Sequence, residues 1–328
     1  MTAAARPGRL VLLGHPVAHS VSPIFQNAAL RCIGIPVVYE ALDTPPDELD
    51  ARLDALIAER AAGNATIPHK ERVAARCTRL TPVAERVGAV NTFRVDDDGL
   101  LVGHNTDVAG FDRLARTALG DTPLPRRVAL LGAGGAAAAV LAAVEGWPGC
   151  EVTLFNRSAE RRDRLASRFP VVRSTTGDVA RAVKGCEMVV NATPLGLRPS
   201  DALPVAIASL ERDAVVVDLV YSSDETRWVH AGRAAGHRAA DGLEMLLEQG
   251  ALAFEWWLGV PAPREVMRNA VRGDKESRES RHTRGSGEPG EESREQTAES
   301  RNGTPASSHP RGSGDSHHRH PRGSGDPC

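Results

Sequence analysis

The sequence predicts an α/β protein of two domains, the second built on a parallel sheet covered by helices. Three observations carry this. The chain has 328 residues, enough for two cores. In the second half, Val128–Leu131, Val152–Phe155, Met188–Val190 and Ala214–Val217 are short continuous apolar runs without alternation, as parallel strands buried on both faces require. Helical stretches lie between several of them, giving a β-α-β-α order.

Arg9–Gly14 reads as the first strand, and Ser22–Cys32 as a helix with Ser22 as N-cap and Pro23 at its first position. Val37–Ala41 is a second strand, and a helix follows over about residues 45–60. Gly63–Thr66 is a short buried strand, after which Pro68 opens another helix. Val90–Val95 and Leu100–Val102 flank Asp96-Asp97-Asp98-Gly99 as a hairpin. A helix over about residues 106–119 leads to Asp121-Thr122-Pro123-Leu124-Pro125, a breaker-rich domain boundary. After the parallel strands, Asp241–Leu258 is a long apolar helix and Pro263–Arg272 a last short one.

Beyond Val271 no Leu, Ile, Val, Met, Phe, Trp or Tyr occurs. Residues 273–328 cannot bury enough apolar surface to offset their ordering entropy, so a disordered tail is expected. His-Pro-Arg-Gly-Ser-Gly-Asp recurs there at His309 and His320, and the His317-His318-Arg319-His320 cluster reads as solvated tail. No metal is expected.

Composition excludes several function classes. The chain is 41% hydrophobic and 25% charged with net charge −2, which gives no pull toward nucleic acid or an anionic membrane. No apolar run nears the roughly 20 residues that span a bilayer. With no signal-peptide layout at the N-terminus, a cytoplasmic location is expected. Cys32, Cys77, Cys150, Cys186 and Cys328 are scattered and form no C-x-x-C pair, as reduced thiols would. Of 40 basic residues only Lys70, Lys184 and Lys275 are lysines. Arginine keeps its proton in proteins, so a lysine retained in the folded part is a candidate for proton chemistry. Lys184 precedes Gly185 and suits a helix C-terminus. Lys70 has no such reason.

Leu130-Leu131-Gly132-Ala133-Gly134-Gly135-Ala136 follows a strand and opens an Ala-rich helix, the setting in which backbone N–H groups meet a pyrophosphate. The next strand ends in Asn156-Arg157-Ser158, with Arg161 one turn on. An acidic residue there would hold a ribose 2′-hydroxyl, whereas an amide, a hydroxyl and guanidiniums suit a 2′-phosphate. NADP is the cofactor read from this.

Three further segments carry polar groups that a fold alone does not demand. His19-Ser20-Val21-Ser22-Pro23 places two hydroxyls at a strand-to-helix junction, fit to meet a carboxylate. Gly63-Asn64-Ala65-Thr66-Ile67-Pro68-His69-Lys70 alternates polar Asn64 and Thr66 along an apolar strand and puts Lys70 in the first helical turn. A cation is disfavoured there by the helix dipole, which favours a proton-transfer role. His69 is expected to face away. Gly103-His104-Asn105-Thr106-Asp107 enters the next helix, where Asp107 alone reads equally well as a structural first-turn acid. Asn91 adds a side-chain amide at a strand start.

Taken in order, these segments resemble the shikimate dehydrogenases, NADP enzymes of chorismate and aromatic amino-acid biosynthesis. The resemblance covers about residues 9–271 and includes G-x-P-x-x-H-S-x-S-P, N-x-T-x-P-x-K, A-V-N-T, N-T-D, G-A-G-G, N-R-S and D-G-L-x-M-L-x-x-Q. It implies a discontinuous α/β substrate-binding domain, residues 1–108 and 241–272, a Rossmann-like NADP-binding domain over 109–240, and an active site in the cleft between them. Ser20, Ser22 and Tyr221 would hold the substrate carboxylate; Asn64, Thr66, Asn91 and Gln249 would bind ring hydroxyls and neighbouring groups. Lys70 and Asp107 would straddle the reacting C3 oxygen of 3-dehydroshikimate or shikimate. Gly132, Ala133, Gly134, Gly135 and Ala136 would line the pyrophosphate turn, and Asn156, Arg157, Ser158 and Arg161 the adenosine phosphate. Gly242 and Met245 would close over the nicotinamide of NADP(H). Gln26 stands where members often have His, and Ala65 where Val is usual.

The small-molecule substrate is the partner expected, with neither nucleic acid nor membrane; a homodimer stays open. The nearest rival is a quinate/shikimate dehydrogenase with relaxed substrate or cofactor use. Glutamyl-tRNA reductase has a similar turn but needs a nucleophilic cysteine, for which Cys32 and Cys77 lack an activating partner. A dinucleotide-sensing regulator gives no reason to keep both Lys70 and Asp107.

Overall fold

The computed structural model describes residues 7–285 apart from 199, 223 and 224, with the backbone alone over 275–285. Two six-stranded sheets organise it. The first contains β1 (Leu10–Gly14), β2 (Tyr39–Asp43), β3 (Ala62–Ala65), β4 (Arg79–Leu80), β5 (Thr92–Val95) and β6 (Leu101–His104), in the order β2-β1-β3-β5-β6-β4. β1 pairs in parallel with β2 and β3, and β5 runs antiparallel to β3 and β6. Between them come α1 (Ser22–Cys32), α2 (Leu49–Ala58), α3 (Lys70–Arg76) and α4 (Pro82–Val87).

α5 (Asp107–Leu119) leads to the second sheet. This holds β7 (Arg127–Leu131), β8 (Glu151–Phe155), β9 (Val172–Thr176), β10 (Met188–Asn191), β11 (Val215–Asp218) and β12 (Ala239–Ala240). All its pairs are parallel, in the order β12-β11-β10-β7-β8-β9. The helices are α6 (Gly135–Val144), α7 (Ala159–Ala166), α8 (Val179–Val183) and α9 (Arg227–Ala234). The first strand lies inside and the order reverses between β10 and β7, the doubly wound topology whose switch point receives ligands. The chain then returns through α10 (Leu243–Leu258) and α11 (Arg264–Gly285).

Each strand's alternation fills two faces. Leu10 and Leu12 of β1 join Phe25 of α1, Phe254 and Trp257 of α10, and Met267 and Val271 of α11. Val11 and Leu13 face Leu49, Leu53 and Leu56 of α2 and Val73 of α3. In the second sheet Val128 and Leu130 pack on α5 and α6, whereas Ala129 and Leu131 meet Ala182, Val183 and Trp228. α5 and α10 pack closely because position 110 is glycine: a methyl there would lie 3.1 Å from Gln249 Cβ.

Some boundaries differ from expectation. β2 begins at Tyr39, where its ladder with Leu10 starts, two residues beyond the strand start expected at Val37. Ser22 is not an N-cap but the first helical residue; Val21 occupies the cap, and the Ser20 hydroxyl accepts from Ser22 N–H at 3.2 Å. α3 starts at Lys70 with His69 as its cap residue, not at Pro68. His69 is fully buried, its Nε2 2.7 Å from the Thr44 carbonyl oxygen. α11 continues past Arg272 to Gly285, through Asp, Lys, Glu, Ser and Arg with no proline before Pro289. The remainder of the stretch expected to be disordered, with its histidine cluster, lies outside the described residues. Among those described, no helix is long and apolar enough to cross a membrane, and no group of His, Cys, Asp or Glu is arranged for a metal ion.

Candidate active site

The carboxyl ends of β3 and β6 feed the first turns of α3 and α5, which brings Lys70 and Asp107 together. Lys70 Nζ donates to Asp107 Oδ2 at 2.6 Å, and the two side chains are only 19% and 6% exposed. Asn91 Nδ2 donates to Asp107 Oδ1 at 2.9 Å, so both carboxylate oxygens are engaged. Asn105 fixes the start of α5: its Oδ1 accepts from Asp107 N–H at 3.0 Å and its Nδ2 donates to the Ala89 carbonyl at 2.9 Å. A largely desolvated ion pair is weak evidence for stability, because removing both charges from water offsets much of their attraction. It is better evidence of a site.

A chain of amides surrounds the pair. Asn91 Oδ1 accepts from Thr106 N–H at 2.8 Å, and Asn91 Nδ2 also reaches Gln249 Oε1 at 3.2 Å, which ties α10 to this corner. Asn64 Nδ2 donates to the Asn91 carbonyl at 3.0 Å. Thr66, after β3, hydrogen bonds through its backbone N–H to Leu13 O at 2.8 Å. Among the described residues neither its hydroxyl nor that of Ser22 has a protein partner. Polar groups at a cleft without partners are free for a ligand. Tyr221, far along the chain, accepts hydrogen bonds from the Val21 backbone and the Ser20 side chain; burial nevertheless raises its phenol above the ordinary range. This corner therefore draws on both halves of the sequence.

The glycine turn lies on the other side of the lysine. Gly132 has φ +118°, and a methyl there would sit 2.6 Å from the Ala192 carbonyl oxygen. Gly134 is the cap residue of α6 and offers no side chain to its first N–H groups, leaving an anion-binding helix start. Ala133 and Ala136 flank it half-buried. Gly135 approaches the pair: a methyl on it would lie 3.8 Å from Lys70 Cδ. At the end of β8, Asn156 Nδ2 donates to Ser158 O at 3.0 Å, and the Ser158 hydroxyl accepts from Arg161 N–H as cap of α7. Among the described residues the exposed guanidiniums of Arg157 and Arg161 have no acidic partner. These features fit a dinucleotide bearing a 2′-phosphate.

Comparison with known proteins decides the family. Residues 12–93 match the shikimate dehydrogenase substrate-binding domain, and residues 242–272 the shikimate 5′-dehydrogenase C-terminal domain. The chain is 38% identical to the shikimate dehydrogenase (NADP(+)) of Methanopyrus kandleri over 271 residues, 79% of this chain and 93% of that one. The chain belongs to the shikimate dehydrogenase family. Its fold is similar to that of shikimate 5-dehydrogenase from Thermus thermophilus in complex with NADP(H) and shikimate, with TM-score 0.72, 38% identity, and coverage of 81% and 98% of the two chains. Quinate dehydrogenase from Corynebacterium glutamicum in complex with NAD gives TM-score 0.73 at 29% identity, covering 80% and 98%.

In this shikimate dehydrogenase family member the structure joins Lys70, Asp107, Asn64, Asn91 and Gln249 in one hydrogen-bonded group and Ser20 with Tyr221 in another. Asn156, Arg157, Ser158 and Arg161 form a separate group at the α7 start. Gly242 hydrogen bonds to Val220 O at 3.0 Å, and a methyl on it would overlap the Leu219 carbonyl. Met245 is buried against Gly110, in the core cluster that also takes in Ala137 and Ala138 of α6 and, packed against it, Ala133 of the glycine turn.

Two buried polar groups carry little signal in the sequence. Tyr39 O–H donates to Asn64 Oδ1 at 2.7 Å. Asp218, ending β11, is fully buried and accepts from Asn191 Nδ2 and the Thr226 hydroxyl at 2.8 Å each and from Val220 N–H at 3.1 Å. Burial pushes its carboxyl up to about 6. An acid ending the run Val215-Val216-Val217 is its only signal. Burial also pushes the Cys77 thiol up to about 12, which removes it as a nucleophile.

Proposed function

We propose that the chain catalyses the reversible NADPH-dependent reduction of 3-dehydroshikimate to shikimate, with residues 1–108 and 241–272 as the substrate domain and 109–240 as the NADP domain. The observation that carries it is the Lys70–Asp107 pair, enclosed by amides and adjoining the glycine turn. Gly132 to Ala136 hold the pyrophosphate, and Asn156, Arg157, Ser158 and Arg161 the 2′-phosphate; Gly242 and Met245 border the nicotinamide. When bound, the cofactor supplies the hydride.

Ser20, Ser22 and Tyr221 anchor the substrate carboxylate, while Asn64, Thr66, Asn91 and Gln249 bind the ring hydroxyls. This turns the C3 oxygen toward Lys70. As that oxygen becomes an alkoxide, Lys70 Nζ–H donates a proton to it and takes it back in the reverse direction. Asp107, held at Oδ1 by Asn91, orients both Lys70 and the hydroxyl.

The test is shikimate-dependent NADPH formation by the purified chain. Activity should be present and nearly lost in Asp107→Asn, which leaves Lys70 without its counter-charge. An inactive wild type, or an Asn variant of full activity, would contradict the assignment.

A further inference from the structure

We infer that Tyr39 is a positioning residue: its hydroxyl fixes the Asn64 amide so that the side chain presents an N–H, and not its oxygen, to the substrate. The inference rests on Asn64 binding a ring hydroxyl, as proposed above.

Tyr39 is held from every side. Its ring is 1% exposed and stacks on Trp257 with centroids 5.9 Å apart. The Asn27 side chain clamps its backbone, accepting from Tyr39 N–H at 2.8 Å and donating to Tyr39 O at 3.0 Å. The phenol therefore has little freedom, and burial raises it well above its ordinary range, so it remains a proton donor. Its acceptor is Asn64 Oδ1 at 2.7 Å.

The other end of that amide is fixed as well. Asn64 Nδ2 meets the Asn91 carbonyl at 3.0 Å, and a carbonyl can only accept. Flipping the amide would set oxygen against oxygen. Asn64 thus keeps one unassigned N–H. Gln249 follows the same logic, since its Oε1 accepts from Asn91 and its Nε2 donates to Leu246 O at 2.7 Å, leaving one N–H. The ring-hydroxyl corner consequently offers donors, and a substrate hydroxyl beside Asn64 is recognised through its oxygen.

Tyr39→Phe keeps the ring stack and removes the lock. It should raise the KM for shikimate about 3- to 10-fold, the span for losing one hydrogen bond, with kcat changed less than about 2-fold. A merely structural role would not give this split. A double-mutant cycle with Asn64→Ala is decisive, read as kcat/KM. If Tyr39 acts through Asn64, Tyr39→Phe has no further effect once Asn64→Ala is in place. Equal losses in both backgrounds, or an unchanged KM in the single variant, would overturn the inference. Should Tyr39→Phe fail to fold, the double variant, which also removes the orphaned Asn64 oxygen, is compared with Asn64→Ala: equal kcat/KM supports the inference and a further loss overturns it. An active wild type with an unchanged Phe variant overturns this inference alone; a wild type inactive on shikimate overturns the activity with it.

Discussion

In the role proposed for it, Lys70 acts on charge that exists only while hydride moves, so its removal should fall on turnover. Lys70→Ala is expected to lower kcat by about 10²–10⁴, the usual span for a general acid, with a much smaller change in KM because the carboxylate and hydroxyl ligands remain. Lys70→Arg keeps the charge but cannot release a proton at neutral pH, and steady-state rates should place it near Ala. Substantial rescue by Arg would reduce Lys70 to an electrostatic anchor. Lysine scarcity, once Lys184 is accounted for at a helix end, singles this residue out from the sequence. Asp218 is not legible in the same way, since only folding reveals its burial among Asn191, Thr226 and Val220. Its carboxyl lies at about 6 against an ordinary 3.8, so between these values the folded chain holds a proton that the unfolded chain has lost. The associated stability is complete below about pH 4 and is lost as pH rises through about 6, to the extent of about 2–3 kcal/mol. Urea unfolding at several pH values should show this loss in the wild type relative to Asp218→Asn. A difference flat with pH would contradict it.

At the scale of elements, the segments that feed the site are readable because each joins a buried strand to a helix start. Polar residues there, such as Asn64 and Thr66, stand out along an apolar strand. The strands that escape notice lack that contrast. β4 and β12 are two residues each, and β9 is a largely exposed edge strand, Val-Arg-Ser-Thr-Thr. α4 is a six-residue helix after Thr81, whose hydroxyl caps it. Tyr221 meeting Ser20 is a tertiary fact that spacing cannot reveal; the resemblance to the family supplies it. The proposed 2′-phosphate site belongs to this scale, at the junction of β8 and α7. Arg157→Ala or Arg161→Ala should each weaken NADPH binding by about 1.5–3 kcal/mol, as for a hydrogen bond to a charged group, and leave NADH kinetics nearly unchanged. Equal weakening of both cofactors would make the arginine structural.

For the whole molecule, the returning chain matters most. α10 carries Gln249 back to Asn91, and α11 adds Met267 and Val271 to the first sheet's core. Among the described residues core positions end at Val271, and a chain ending at Gly273 should retain activity and melt within about 2–4 °C of the full chain. A larger drop would show that later residues dock. Fold class and the succession of strands and helices follow from local pattern, whereas the order of strands within each sheet and the packing of α5 on α10 through Gly110 are long-range facts. The central claim is an NADP-dependent shikimate dehydrogenase, and the most direct test is kcat/KM measured for shikimate and quinate, each with NADP and with NAD. The highest value should come from shikimate with NADP, with a clear loss on changing either component. Preference for quinate or for NAD would contradict the account.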